Sequence, residues 1–305
     1  MSGEAYLMRL GTFMLLYSIL ALSWNFIGGM TGYPSFATSA FFGLGAYVGG
    51  VAQTAGWLPI LCWVLAGIGT FIFAFVLGFA LLRLRGHYFA IATLGVAEVL
   101  RELINSATEL TGGGMGLNLP MLKMNVAAAA NFYYYAMLIL AVLTLLAAIT
   151  VAYSRLGFGL RCIKQNEEAS DMIGVNTTLY KTIAFALSAI FVGMAGAVYG
   201  SWVQYIEPPD VFEIGYAIKP IVMCLMGGVG SVFGPLIGAA AFLGLEELVW
   251  RNYVSLHTGI LGLVIVLLVL FMPQGLLGKN GIRDRLKKSW GRIQGKREGI
   301  NESYS

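Results

Sequence analysis

The chain has 305 residues, of which 58% are hydrophobic and 11% are charged, and its formal net charge at pH 7 is +4. Soluble globular proteins carry about 25% charged residues, so this chain lacks the side chains that a soluble domain of its length needs on its surface. The composition therefore excludes an ordinary soluble protein and predicts a membrane protein. Five long stretches contain no Asp, Glu, Lys or Arg, at 10–82, 124–154, 182–206, 220–245 and 252–278.

Each of these stretches can hold at least one membrane crossing, because a helix needs about 20 apolar residues to span a bilayer. We predict an all-α fold, a polytopic integral membrane protein with about eight or nine transmembrane segments. In chain order the predicted segments are 7–28, 36–54, 58–82, 87–108, 132–153, 181–203, 216–247 and 257–272.

Glycine and proline interrupt two of these regions. The sequence GGVGSVFGP at 227–235 predicts a broken or re-entrant hairpin near 216–247 rather than one straight helix. The stretch GGMTGYPSFATSAFFGLGAY at 28–47 is also rich in glycine, and the segment at 36–54 could be re-entrant. Interruptions in both halves of a transporter point to its pathway, but close helix packing through small residues explains them equally well.

Basic residues predict the orientation, because cytoplasmic loops of membrane proteins are rich in Lys and Arg. The tail at 279–305 has eight bases and three acids, and we expect it to be cytoplasmic. Bases also mark the loops around 83–85 and 154–181 as cytoplasmic. The loop at 204–215 has three acids and no base, which is typical of an outer loop.

The predicted organisation is a transmembrane domain at 1–278, with a cytoplasmic loop at 154–181, followed by a basic cytoplasmic tail at 279–305. Such a tail can contact anionic lipid headgroups or serve only to fix the orientation. The side of the membrane on which the N-terminus lies stays open, because it depends on whether 36–54 crosses.

The cytoplasmic loop contains a short predicted helix at 167–173. Asn166 is a good N-cap, and Glu167 and Glu168 fall in the first turn, where the helix dipole favours negative charge by about 0.3–1 kcal/mol each. Gly174 stands where a glycine commonly ends a helix. A helix of two turns is marginal by itself, so we expect it to pack on the rest of the loop or on another protein. A plain amphipathic connector accounts for these residues equally well.

The sequence EASDMIG at 168–174 resembles the E-A-A-x-x-x-G loop of ABC importer permeases, with Ser170 in place of the second alanine. Further blocks resemble the branched-chain amino acid permeases, and more narrowly the M-type subunits of the Leu/Ile/Val permease pair. The blocks occur in order over most of 20–278: RLRGHYFAIATLGVAEVLR (83–101), TGGGMGLNLP (111–120), SRLGFGLRCIKQNEEASDMIGVNTTLYKTIAFALSAIFVGMAGAVYG (154–200), GGVGSVFGPLIGAA (227–240) and VLFMPQGLLG (269–278).

This resemblance implies a permease subunit of an ATP-driven importer of branched-chain or related amino acids, in a bacterial inner membrane. In that family a short cytoplasmic helix docks on the ATP-binding subunit and transmits the ATP cycle to the membrane domain. The residues expected to couple to the ATPase are Arg161, Glu167, Glu168, Ala169, Ser170, Asp171 and Gly174.

The partners that the resemblance implies are a second, H-type permease, two ATP-binding cassette subunits, a periplasmic or extracellular solute-binding protein and membrane lipid. No nucleic acid is expected. The chain itself should bind no cofactor, since its partner subunits use the ATP. The chain also lacks the phosphate-binding motif G-x-x-x-x-G-K-[ST].

One stretch departs from the family pattern. The family usually reads S-L-G-H-A-A-F-F-G near the N-terminus, whereas this chain reads SFATSAFFG at 35–43, with Ala37 for Gly and Thr38 for His. If this stretch lines the pathway, the solute can differ from Leu, Ile and Val, and urea or short amides are the alternative solutes.

Polar residues within the apolar segments are candidates for the translocation pathway. Glu98 and Arg101 lie three residues apart on one helix face and can pair, and ionisable residues inside a membrane face the protein interior or a wet cavity. A structural ion pair that ties two helices together is the alternative. The candidate pathway residues are Tyr33, Ser35, Thr38, Ser39, Glu98, Arg101 and Ser231.

A stand-alone channel or membrane enzyme is the alternative from a different class. A membrane enzyme should have a nucleophile–base or metal pattern such as H-E-x-x-H in its segments, and this sequence has none. We therefore expect no catalytic residues and no metal site. A channel would not need a coupling helix, so co-purification of a nucleotide-binding subunit distinguishes the two classes.

Overall fold

The computed structural model describes residues 3–121 and 124–252, together with the single positions 259 and 262. Apart from those two positions, the predicted segment at 257–272 and the whole basic tail at 279–305 lie outside the described residues. Helices make up most of the described chain, and its two strands have two residues each. The predicted all-α class is confirmed.

The first half of the chain forms four long helices. Helix α1 continues through one π-helical turn at Asn25–Gly29, and an irregular stretch then leads to α2. The elements are α1 (Gly3–Trp24), α2 (Thr38–Thr54), α3 (Pro59–Leu81), α4 (His87–Ser106), α5 (Thr108–Thr111), a 3₁₀ turn (Gly113–Met115) and strand β1 (Leu117–Asn118).

The second half carries the predicted loop helix and the predicted hairpin. Its elements are α6 (Val126–Tyr153), α7 (Arg155–Gln165), α8 (Glu167–Met172), α9 (Thr177–Val203), strand β2 (Tyr205–Ile206), α10 (Pro208–Val211), α11 (Gly215–Gly227) and α12 (Gly234–Asn252).

Four helices of the described chain are long and apolar enough to cross a membrane. They are Tyr6–Gly29, Pro59–Leu81, Val126–Tyr153 and Thr177–Val203. Helix α2 has only 17 residues, and α4 carries Glu98, Arg101 and Glu102 within its 20 residues. The predicted total of eight or nine segments therefore stays a prediction.

The break predicted near 216–247 is present, because residues 228–233 separate α11 from α12. The two helices pack so closely that a Cβ added to Gly238 would lie 1.8 Å from the carbonyl oxygen of Met223. Away from the break, Lys219 of α11 donates a hydrogen bond to Glu246 of α12 at 2.7 Å. The segment is thus a hairpin of two helices.

Helix α9 lies at the centre of the fold and packs along both α2 and α3. Small residues permit this close approach: a Cβ on Gly45 would lie 2.2 Å from the oxygen of Gly193, and one on Gly196 would lie 2.1 Å from the oxygen of Phe42. Of the two explanations for the glycines of the 28–47 stretch, close helix packing therefore holds for those in α2.

The helix ends gather into two sets. We call the set that contains 30–37, 82–86, 154–176 and 228–233 the basic end, because the predicted cytoplasmic bases lie there. Lys181 Nζ joins the first two stretches by hydrogen bonds to Tyr33 and Leu82. The predicted orientation makes this end cytoplasmic.

The opposite end, which we call the acidic end, carries the 204–214 loop. There β1 pairs antiparallel with β2, with Leu117 opposite Ile206. Ser201 of α9 donates to Gln53 of α2 at 2.7 Å and accepts from Trp63 of α3 at 3.0 Å. Helix α1 starts near this end, since Tyr6 donates a hydrogen bond to Glu247 late in α12. If the basic end is cytoplasmic, the start of α1 lies outside the cell. The sequence alone did not determine on which side the N-terminal helix begins.

Candidate functional site

The short helix predicted at 167–173 is present as α8, one residue shorter than predicted. Its N-cap is Asn166, whose side-chain oxygen accepts a hydrogen bond from the backbone N–H of Ala169 at 3.0 Å. Gly174 follows the helix with φ of +87°, in the left-handed region that favours glycine. The local caps therefore act as the sequence predicts.

Helix α8 exposes most of its residues, with Glu167 and Ser170 as the exceptions. Met172 and Ile173 are 83% and 71% exposed. Ser170 is the buried member of the helix, and its hydroxyl donates to the carbonyl oxygen of Asn166 at 2.8 Å. A serine can thus stand where the family has its second alanine, because the hydroxyl is satisfied within the loop. The exposed apolar residues leave a surface for another protein.

A buried ion pair anchors the start of α8. Lys181 is 2% exposed, and its ammonium nitrogen lies 2.6 Å from a carboxylate oxygen of Glu167, whose side chain is 16% exposed. The same nitrogen donates to the hydroxyl oxygen of Tyr33 at 3.1 Å and to the carbonyl oxygen of Leu82 at 3.1 Å. The Tyr33 hydroxyl in turn donates to the other carboxylate oxygen of Glu167. We call these four residues the joint.

The joint stabilises the charged form of Glu167. Burial by itself would raise the pKa of this carboxyl, but hydrogen bonds from Lys181 and Tyr33, and attraction by Lys181 and Arg85, hold the pKa below its ordinary value of 4.5. Lys181 also uses all three of its N–H donors, on Glu167, Tyr33 and Leu82. Both charges are therefore satisfied by hydrogen bonds in a site that is largely buried.

The other predicted coupling residues lie at the surface of the loop. Glu168 pairs with Arg85 at 3.0 Å, with both side chains mostly exposed, and such a pair contributes little to stability in water. Ala169 and Asp171 are exposed on α8. Arg161 donates to the carbonyl oxygen of Ala152 at 2.9 Å, which ties α7 to the end of α6.

A second polar cluster joins the two interrupted regions. Asn25, in the π-helical turn, donates to the carbonyl oxygen of Ser231 at 2.9 Å and accepts from the backbone N–H of Gly230 at 2.9 Å. Lys164 of α7 donates to the carbonyl oxygen of Gly29, in the same turn, at 2.7 Å. We call Asn25, Gly29, Gly230 and Ser231 the clasp. A Cβ on Gly29 would lie 2.9 Å from the backbone nitrogen of Gly230, so the two interrupted stretches, 28–47 and 227–238, meet here.

Four of the five predicted pathway hydroxyls are buried inside this chain, and Ser231 is half-buried. Tyr33, Ser35, Thr38 and Ser39 are all buried. Tyr33 belongs to the joint, and the Ser35 hydroxyl accepts a hydrogen bond from a backbone N–H two residues on. Ser231 accepts from the backbone N–H that opens α12, at 3.0 Å. Their contact with a solute stays a prediction.

Glu98 and Arg101 form the predicted ion pair on α4. Their side chains are 64% and 40% exposed on the surface of this chain, so they do not point into its interior, and the expectation that they face a wet cavity stays a prediction. The reason is that α4 packs through one narrow stripe and leaves its other faces open. That stripe consists of Phe89, Thr93, Ala97, Leu100 and Ile104.

Sequence reasoning missed the roles of Lys181, Lys164 and Asn25. In the sequence, the two lysines indicated only that the 154–181 loop is cytoplasmic. Asn25 is a single polar residue in an apolar stretch and carries no motif. One available signal was a lysine at the very start of the predicted segment 181–203, since a charge there needs a partner. The partner itself lies 148 residues away in the case of Tyr33.

Comparison with known proteins identifies the family of this chain. Residues 6–272 match the model of the family described as branched-chain amino acid transport system, permease component. The chain belongs to this family. Together with its long apolar helices, this makes it a multi-pass membrane permease.

Among its relatives, this permease is 29% identical to the high-affinity branched-chain amino acid transport system permease protein LivM of Salmonella typhimurium, over 94% of its own length and 73% of that protein. It is 25% identical to LivH of Escherichia coli, over 86% of its own length and 91% of that protein. It is also 25% identical to the autoinducer 2 import system permease protein LsrC of Salmonella paratyphi B, over 70% and 64% respectively. No solved structure matches the chain.

Proposed function

We propose that this permease is the membrane-spanning subunit of an ATP-driven ABC importer for branched-chain or related amino acids, coupled to its ATPase through α8. Two partner ATP-binding cassette subunits hydrolyse the ATP, and this chain binds no cofactor of its own. A second, LivH-like permease completes the membrane part, and an external binding protein delivers the solute. The basic end faces the cytoplasm of a bacterial cell, and the tail at 279–305 lies on the same side.

One observation supports this coupling role above the others. Helix α8 is fixed at its first residue by the buried pair of Glu167 and Lys181, while Met172 and Ile173 at its other end are exposed. A plain connector would gain by burying these two apolar side chains. A helix that must enter a cleft on another protein needs them outside.

Photo-crosslinking tests the proposed contact. A photo-crosslinking residue at Met172 or Ile173 should attach a nucleotide-binding subunit in membranes. The same residue at Val126, which is equally exposed at the acidic end, should attach none and serves as the control. A single-chain particle in detergent, without crosslinks at either loop position, would favour a channel or membrane enzyme instead.

The relatives support amino acids as the solute class, since LivM and LivH are named for branched-chain amino acid transport. LsrC is named for autoinducer 2 import, so more distant relatives carry other solutes. Urea and short amides are the alternative cargo for this permease. Uptake of labelled leucine and urea by vesicles that contain the complete importer and its own binding protein distinguishes them.

The polar flank of α4 is the wall of the pathway in this proposal. Glu98, Arg101 and Glu102 project from one side of α4, since successive residues turn about 100° around a helix. Charges within a membrane avoid lipid, so this flank requires water or a protein partner beside it. The second permease supplies that neighbour, and the solute passes between the two chains.

A further inference from the structure

We propose that Glu167 and Lys181 are positioning residues that transmit the movement of α8 to the stretch 30–37, and through it to α2. This inference rests on the proposed function, because it assumes that an ATPase moves α8. It goes further by naming the link between the loop and the membrane helices.

Apart from the joint, few contacts hold α8 in place. Apart from the largely buried Glu167, Ser170 is the one buried residue of α8, so hydrophobic packing contributes little to the position of the helix. The short, charged contact between Glu167 and Lys181, at 2.6 Å, lies in a site from which water is almost excluded. Charge-assisted hydrogen bonds in such a site are stronger and more directional than surface pairs. A displacement of α8 therefore acts on the joint first.

The joint reaches three membrane elements at once. Lys181 lies in the first turns of α9, Leu82 directly follows α3, and Tyr33 lies in the stretch between the π-helical turn and α2. The Tyr33 hydroxyl contacts both Glu167 and Lys181. Moving Glu167 thus breaks its contacts with Tyr33 and Lys181 or carries Tyr33 along.

The stretch 30–37 can change its conformation when Tyr33 moves, because it is not helical beyond its first two residues. It connects α2, which packs on the central α9, to the π-helical turn of the clasp. π-helical turns occur frequently at functional sites. On the other side of the joint, Lys164 of α7 holds the same turn through Gly29. The loop therefore contacts the interrupted region at 28–47 on both sides of α8.

A purely structural role for the joint is the competing explanation. It predicts that weakening the joint lowers the amount of folded permease and leaves the uptake per ATP unchanged. Transmission predicts that uptake per ATP falls while the ATPase stays attached. The ratio of solute taken up to ATP hydrolysed, in the same vesicles, separates the two.

The experiment uses the complete importer in proteoliposomes, with its ATPases and binding protein. Glu167→Gln keeps the shape of the side chain and removes its charge, Lys181→Met removes the ammonium group, and Tyr33→Phe removes one hydroxyl. Tyr133→Phe is the matched control, because the Tyr133 hydroxyl is also buried and donates to the carbonyl oxygen of Ser201 at the acidic end, at 2.8 Å. ATPase co-purification is measured for every variant.

We expect the three joint variants to keep the ATPase and to lower uptake per ATP by about fivefold or more, the lower range of coupling between linked sites. The control should leave the ratio unchanged. Equal ratios in wild type and joint variants would overturn the inference, and so would an equal fall in the control. If Glu167→Gln or Lys181→Met does not fold, Tyr33→Phe decides. A wild-type chain that retains no ATPase would overturn the proposed function itself.

Discussion

Glu167 and Lys181 lie 14 residues apart in the chain, on different helices, yet their charged atoms are 2.6 Å apart. The contact closes the loop that contains α8 and fixes the direction in which α8 leaves the membrane domain. The surface of α8 that faces outward is therefore set by a buried contact rather than by α8 itself.

This pair should make the permease sensitive to acid. The pKa of Glu167 is lower in the folded chain than its ordinary value of 4.5, so the unfolded chain binds the proton first as the pH falls. The stabilisation is complete above about pH 4.5 and is lost as the pH falls through the folded pKa. We expect the thermal unfolding midpoint of the detergent-solubilised permease to fall on acidification below this value, and to fall less in Glu167→Gln. Glu168→Gln, at the exposed neighbour, should behave like wild type.

Gly174 should tolerate only residues that adopt its backbone conformation. With φ of +87°, a β-branched residue costs about 1–3 kcal/mol locally. A Cβ at this position meets no atom within 4 Å, so the effect is conformational and not a clash. We expect Gly174→Val to reach the membrane at normal levels, with lost uptake and weakened ATPase association. Gly174→Asn should retain most uptake, since asparagine tolerates the left-handed region; equal loss in both variants would contradict this account.

The stability of the clasp should depend on both the NH₂ group and the oxygen of the Asn25 side chain. Asn25→Asp keeps the acceptor for Gly230 but places a carboxylate oxygen against the carbonyl oxygen of Ser231. Leaving buried polar groups unpaired costs about 1–3 kcal/mol, so the thermal unfolding midpoint should fall. The control is Asn176→Asp at the N-cap of α9, where Asp and Asn are equally good caps. An equal shift in both variants would show that the clasp contributes nothing specific.

The Glu98–Arg101 pair should matter in the assembled importer and little in the isolated chain. Exposed pairs of this kind contribute about 0–1 kcal/mol, so Glu98→Gln and Arg101→Gln should barely change unfolding in detergent. In membranes each should lower uptake, and the double variant should lower it by less than the sum of the two. Glu109→Gln, in the short helix α5 at the acidic end, is the control. A large change in unfolding of the isolated chain would show that the pair is structural.

The apolar pattern predicts the fold well because each long helix carries its own signal. The predicted starts of two helices are wrong, because their first residues are too polar or too small to give a strong apolar signal. Helix α9 begins at Thr177 rather than at 181, because Asn176 accepts a hydrogen bond from the backbone N–H of Leu179 at 3.0 Å and caps the helix there. Helix α6 begins at Val126 rather than at 132, since the alanines there favour a helix without raising the apolar signal much.

For the site too, the features encoded by neighbouring residues could be predicted, and the contacts between distant residues could not. The caps of α8 are encoded within nine residues of sequence, from Asn166 to Gly174, and the structure confirms them. The joint is not encoded locally, because Tyr33 and Lys181 come from opposite halves of the chain. A tyrosine and a lysine in separate segments carry no pattern that pairs them until the helices are packed.

The two hydrogen bonds that the Ser201 hydroxyl makes to Gln53 and Trp63 have a mechanical consequence. They bind α2, α3 and α9 together at the acidic end, and α9 has 27 residues, which makes it about 40 Å long. A rigid rod of that length, pivoted at one tip, amplifies small rotations at the other. A tilt of about 5° moves the far tip by about 3.5 Å, for a rod built at 1.5 Å per residue. Because the Ser201 hydroxyl holds α9 to α2 and α3 at the acidic end, such a tilt displaces the basic end of α9 far more than its acidic end.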